Sequence, residues 1–303
     1  MVRRYAIYDV FTAEPLKGNA LAVVLDGDGL SADEMQAIAS EFSLSETAFV
    51  LAPEHPSHGA RLRIFTPVHE LPFAGHPTVG TAVALAEAAH RGATIDLVKV
   101  LEEEVGPVRC AIRLEAGQPS FAEFDLPRHA EALPASFDRQ ALADALSIKS
   151  TDIGFENHMP MLWSAGVPFV TIPVHDLSAA AAIDFDLARW EHMAPMADGR
   201  LAAAYVYCRG GRHHQARFHA RMFAPGMGIS EDPATGAAAA AFSGTINHFD
   251  QPVDGHHAFL IEQGVEMGRA SYLHLHVDIL RSKVSAARIG GHAVKVAEGQ
   301  LFI

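Results

Sequence analysis

Two stretches of the chain read as helices with no polar face. One carries Val79, Ala82, Val83, Leu85 and Ala86, and the other runs from Ala237 to Phe242. A helix that is apolar all round must be buried on every side. Small side chains let surrounding strands approach its axis, so the pattern predicts two sheets, each wrapped around a central helix. Both helices follow strand-like stretches that end in proline, RLRIFTP (61–67) and ARFHARMFAP (216–225). Amphipathic spacing predicts a surface helix over 31–42, with Ser31 as cap, Glu34 completing a capping box, and Met35, Ile38 and Phe42 on one face. Residues 137–148 and 184–194 read as further helices. The end of the chain, 282–303, alternates like two strands joined near Gly290-Gly291. Pro119, Pro127 and Pro134 mark the stretch after 115 as the crossing between halves.

The two helical regions also repeat a wording. Arg63 to Pro67 and Arg221 to Pro225 share Arg, an aliphatic residue, Phe, a small residue and Pro. His76-Pro77 to Gly80 and Asp232-Pro233 to Gly236 share a polar residue, Pro, two more residues and Gly. A fainter echo links 18–26 with 165–176. Two matches in the same order favour two related halves. The expected division is a first lobe of residues 1–118, joined by a last strand at 289–303, and a second lobe of 119–288.

Candidate chemistry gathers at the helix starts. Pro77 and Pro233 suit a first helical turn, which leaves His76 and Asp232 at or next to the N-caps. A helix N-terminus offers N–H groups and about half a positive charge, so it suits an anion. Two such starts facing one cleft would bind a small carboxylate and stabilise negative charge that forms during reaction. Gly75, Gly80 and Gly236 would let backbone approach a ligand. Asp232 could equally serve only as a cap. Glu46, in SLSETAFVL between a helix and an apolar strand, would be partly desolvated and suited to moving protons. It could also be an exposed loop acid or the partner of an arginine, and Glu70 and Glu231 compete for the same role.

Composition narrows the function classes. The formal charge of −13 argues against nucleic acid as the main partner. No apolar run has the ~18 residues of a membrane span, and the first fifteen residues lack a signal-peptide pattern. Two cysteines in no metal-ligand spacing, Cys110 and Cys208, fit a reducing cytoplasm. The 18 histidines include His213-His214, His256-His257 and His274-Leu275-His276, yet no HExxH pattern or nearby carboxylate set completes a metal site. No metal is therefore expected.

In order and spacing, DVFTAEPLKGNALAVVLD, LSETAFVL, RIFTPVHELPFAGHPTVGTA and GISEDPATGAAAA resemble the phenazine-biosynthesis PhzF-like isomerases. The resemblance is close over the first ninety residues and over 219–245, and looser at the closing VKVAEGQLFI. It implies an α+β fold of two pseudo-symmetric lobes, each a β-barrel-like sheet around a central apolar helix, as in diaminopimelate epimerase. It also implies a homodimer without metal or organic cofactor, acting on a small carboxylate-bearing metabolite. By resemblance, Glu46 shuttles a proton, His76 and Asp232 assist, and Gly75, Gly236 and Ala237 line the substrate site. The family often has Ser where this chain has Ala237. Related epimerases start each central helix with cysteine, whereas these positions carry His76 and Asp232. The expectation is a cytoplasmic proton-shift isomerase, against the alternative of a non-catalytic acid-binding protein on the same fold.

Overall fold

The computed structural model describes residues 2–197 and 199–303. The chain forms two compact units, Met1–Pro127 with Ile289–Ile303, and Arg128–Arg288. The first holds β1 (Val2–Val10), β2 (Asn19–Val24), α1 (Ala32–Phe42), β3 (Glu46–Leu51), β4 (Ala60–Phe65) and β5 (Glu70–Leu71). It continues with α2 (Gly75–Ala89), β6 (Ile95–Glu103), β7 (Gly106–Leu114) and β8 (Ser120–Asp125). The second opens with β9 (Glu131–Leu133), α3 (Arg139–Leu146), β10 (Met161–Ser164), β11 (Pro168–Pro173), α4 (Leu177–Ala181) and α5 (Leu187–Met193). There follow β12 (Met196–Ala197), β13 (Arg200–Leu201), β14 (Ala203–Arg209), β15 (Phe218–Ala224) and β16 (Ile229–Asp232). It ends with α6 (Gly236–Asp250), β17 (Gly255–Gln263) and β18 (Ser271–Leu280). The last strand, β19 (Lys283–Phe302), passes from the second unit into the first.

In the first unit the strands run β1-β2-β3-β4-β6-β7-β8-β19 and return to β1, closing a barrel of eight. Pairing is antiparallel except β2–β3 and β4–β6, which are parallel. The second unit repeats the series as β10-β11-β14-β15-β17-β18, with β11–β14 and β15–β17 the parallel pairs. β9 lies antiparallel to β10 as β19 does to β1. In both units the parallel pairings fall at the same places in the order, so the repeated wording corresponds to a repeated topology.

The central helices behave as their composition requires. α2 packs on β1, β2, β3, β6, β7 and β8, and α6 on β9, β10, β11 and β18. Gly80 was expected to admit a ligand, but it admits its own barrel instead. A Cβ there would lie 2.5 Å from a Leu21 methyl and 2.7 Å from a Val10 methyl. The surface helices follow their caps: Ser31 forms the capping box with Glu34, and Asp138 and Asp186 cap the two later helices. Met35 and Ile38 bury α1 against Val24, Phe49 and Phe65. A fully buried Met contributes roughly 2–3 kcal/mol there.

Two expectations need correction. β8 pairs with β7 through Cys110↔Phe124, so the first unit runs to Pro127 rather than to 118. The closing segment is one continuous strand, not a hairpin at Gly290-Gly291. Gly290 serves close approach instead, since a Cβ would meet Glu123 Cβ at 2.6 Å and the Ala122 carbonyl at 2.7 Å.

The repeat extends to side chains. Arg63 grips Glu70 through Nε and Nη2, both at 2.6 Å, and lies over Phe65. Arg221 grips Glu231 through the same atoms at 2.8 Å and lies over Phe223. Glu102 accepts the backbone N–H groups of Glu54 and His55, as Glu262 accepts those of Arg212 and His213. Glu262 also meets the buried His219 at Nδ1 (2.7 Å), while Glu266 lies 3.3 Å from Nε2. Burial works to lower the His219 pKa, but the hydrogen bonds and charge of Glu262 and Glu266 outweigh it and raise the group to about 9.

Two predictions follow from this packing. Gly80→Ala should lose about 1–3 kcal/mol to overpacking, read from urea midpoints at unchanged slope. For His219 the folded pKa exceeds the ordinary 6.5. Its stabilisation is therefore complete below pH 6.5 and fades as pH rises through about 9, on the order of 3 kcal/mol in total. Thermal unfolding should show that decline for the wild type and a flatter profile for His219→Gln.

Candidate functional site

Glu46 is the first residue of β3, opposite Leu21 in the parallel pair with β2. Its neighbour across the barrel mouth is His76 on α2, with Nε2 3.4 Å from Glu46 Oε2. His76 was expected at or next to the N-cap. Ala74 holds that place, and Gly75, His76 and Pro77 form the first turn. Pro77 sits where a helix leaves its N–H without a partner in any case. Both site side chains are largely enclosed, Glu46 at 12% exposure and His76 at 5%.

His76 is uncharged. Burial pushes its pKa down to about 3, against a backbone hydrogen bond at Ala20 that pulls the other way. A bond that favours the protonated ring is one the ring donates, so the Ala20 carbonyl accepts a ring N–H. Nε2 makes no hydrogen bond, which leaves Nδ1 as that donor. The neutral ring thus presents the Nε2 lone pair to Glu46. The contact is a neutral base beside a carboxyl group, not an ion pair.

In the second unit Asp232 is buried at the end of β16, three residues before the Thr235 N-cap of α6. It does not cap the helix. Its carboxylate accepts the Thr235 hydroxyl, and its backbone carbonyl accepts the Gln263 amide at 2.8 Å. Pro233 therefore lies in the linker and not in the first turn. Gly236 and Ala238 are buried, whereas the Ala237 methyl is partly exposed.

Both central helices begin without a side-chain cap. The four other α-helices each have one, from Ser31, Asp138, Asp176 and Asp186. Neither central helix carries an acid in its first turn. The positive ends of α2 and α6 are thus not neutralised by a carboxylate on their own first turn or cap.

Other candidates are set aside by their contacts. Glu70 and Glu231 are locked in the bidentate arginine pairs described above. Cys110 and Cys208 are buried on β7 and β14, and burial raises both thiols, Cys208 to about 12. Among the described residues no three His, Cys, Asp or Glu side chains converge as metal ligands. His256 instead bonds Asp278 at 2.8 Å and stacks on His276. No described helix is long and apolar enough to cross a membrane. Glu103 and Gln263, which reach the starts of α2 and α6, were not singled out from the sequence. Glu103 stands in an acidic run, Glu102 to Glu104, that reads as solvated surface.

Comparison with known proteins agrees with this architecture. The profile of the family described as phenazine biosynthesis-like protein matches residues 8–299. An uncharacterized isomerase of Mesorhizobium japonicum is 55% identical over 303 residues, covering 99% of both chains. The trans-2,3-dihydro-3-hydroxyanthranilate isomerase of Pseudomonas aeruginosa is 35% identical and covers all of both. The crystal structure of a PhzF-family phenazine biosynthesis protein from Bacillus anthracis superposes with a TM-score of 0.87 at 25% identity over the whole of both chains. The chain belongs to the phenazine biosynthesis-like family and is an isomerase.

Proposed function

We propose that the chain moves a proton between two carbons of a small carboxylate-bearing substrate, with Glu46 as the group that carries it. The observation behind this is the Glu46–His76 contact at the uncapped start of α2. Glu46 as carboxylate takes the proton from carbon and becomes a neutral acid. The Nε2 lone pair of His76 then receives that acid as a hydrogen-bond partner and fixes the loaded state. Because the His76 pKa lies near 3, the ring does not keep the proton. It stays on Glu46 and returns to the substrate at the second carbon.

Negative charge left on the substrate is stabilised by the positive end of α2. At the start of α6, Asp232, Gly236 and Ala237 are proposed as binding residues, with Asp232 assisting and backbone N–H groups suited to a carboxylate. No metal or organic cofactor enters the scheme, and the working form is proposed to be a homodimer. The named activity of the Pseudomonas aeruginosa relative makes trans-2,3-dihydro-3-hydroxyanthranilate the first compound to try.

In D2O the wild type should place deuterium on carbon in that acid or in another of a panel of small carboxylic acids. Glu46→Gln should slow exchange about a hundredfold or more. Retention of full exchange by this variant, or a panel in which the wild type exchanges nothing, overturns the proposal. Ala237→Ser should lower KM about fivefold for a carboxylate substrate with kcat little changed, as one added hydrogen bond would. An unchanged KM would separate Ala237 from the substrate.

A further inference from the structure

β6 and β17 hold the same place in their units. Ala60 lies opposite Leu101 in one parallel pair, and Phe218 opposite Ile261 in the other. Two residues beyond these partners stand Glu103 and Gln263. Each turns to the start of its own unit's central helix. The Gln263 amide donates to the Asp232 carbonyl at 2.8 Å and to Thr235 Oγ1 at 3.0 Å, and its oxygen accepts the Thr235 N–H at 3.4 Å. Glu103 Oε1 accepts the Thr78 hydroxyl at 2.7 Å, and the carboxyl also takes a hydrogen bond from the Ala74 backbone. Ala74 and Thr78 flank His76 on α2.

We propose that Glu103 is a positioning residue for the first turn of α2, in the place where the second unit uses an amide, and that it holds His76 opposite Glu46. The inference rests on the proton-transfer role given to that pair. Burial raises the Glu103 carboxyl to about 8, opposed only by the bonds from Thr78 and Ala74. Thr78 faces it from α2 and Cys110 from β7, and His55 and His58 line the same cavity. Arg61 and Arg63 on β4 line the same cavity with Glu102 and Glu104, but they are held by Glu54 and Glu70. With its proton on, Glu103 leaves the positive end of α2 available to the substrate. Without it, a negative charge would sit behind the turn where substrate charge must form.

The test follows the His76 ring by NMR in histidine-labelled protein from pH 6 to 9.5, with the signal assigned against His76→Asn. His76 itself stays neutral in this range, so any movement reports its surroundings. The wild-type signal should move with a midpoint near 8. Glu103→Gln should hold the low-pH position throughout, and Glu103→Leu should be displaced at every pH. In the deuterium-exchange assay, Glu103→Gln should stay within about twofold of wild type at pH 7 and exceed it above pH 8.5. A wild-type signal that stays still across the range, or a Glu103→Gln signal that matches Glu103→Leu, overturns the proposal. If Glu46→Gln disproves proton transfer, the ring shifts still decide whether Glu103 sets the turn.

Discussion

A helix without a polar face cannot lie on a surface, and that constraint organises the whole molecule. α2 and α6 expose too little hydrogen-bonding side chain to meet water along their length, so strands must cover every side. Once enclosed, such a helix can meet a solute only at its ends. The N-terminal end carries the positive dipole and the N–H groups left without intrahelical acceptors. Enclosure therefore directs chemistry to the first turn, and in the first unit that turn places His76 against Glu46.

Duplication supplies an internal control for separating scaffold from chemistry. The arginine–glutamate–phenylalanine sets at Arg63 and Arg221 recur in both units, as do the glutamates that receive paired turn N–H groups. What recurs serves the fold common to both. The helix starts are among the places that differ. Glu46 opens the second strand of its parallel pair, whereas the matching pair in the other unit opens with Ala203. His76 corresponds in wording to Asp232, yet one lies inside the helix and the other ahead of its cap. Two copies of one architecture thus carry different groups at equivalent places.

Much of this was legible in the residues. The cap at Ser31 was visible because the interactions that end a helix are local. The central helices were visible from composition. Proline was given the first helical turn at both sites. In the structure it is third in α2 and outside α6. Long-range bonds from Gln263 bear on the second case, and no local pattern encodes them. Gly290-Gly291 read as a turn because glycine signals both turns and close contact. Only the neighbouring strand, with Glu123 and Ala122, tells which applies. Glu103 was hidden for the same reason, because alternation within β6 buries one acid of a run that looks uniformly solvated.

The separation of Glu46 from Glu70 and Glu231 shows how partners sort identical side chains into roles. A carboxylate gripped by both nitrogens of an arginine is stabilised in its charged form and resists accepting a proton. Glu70 and Glu231 are held in this way and tie neighbouring strands together. A carboxyl group that must load and unload needs surroundings that respond little to its charge. A neutral imidazole provides this, since it can accept from the loaded acid without a full charge of its own. Backbone dipoles do the same for the substrate. They favour the anion that forms without adding a full charge to the site. In a chain with 13 more acidic than basic residues, attraction for a carboxylate must come from such local fields. On the proposed function, the first turns of α2 and α6 supply those fields.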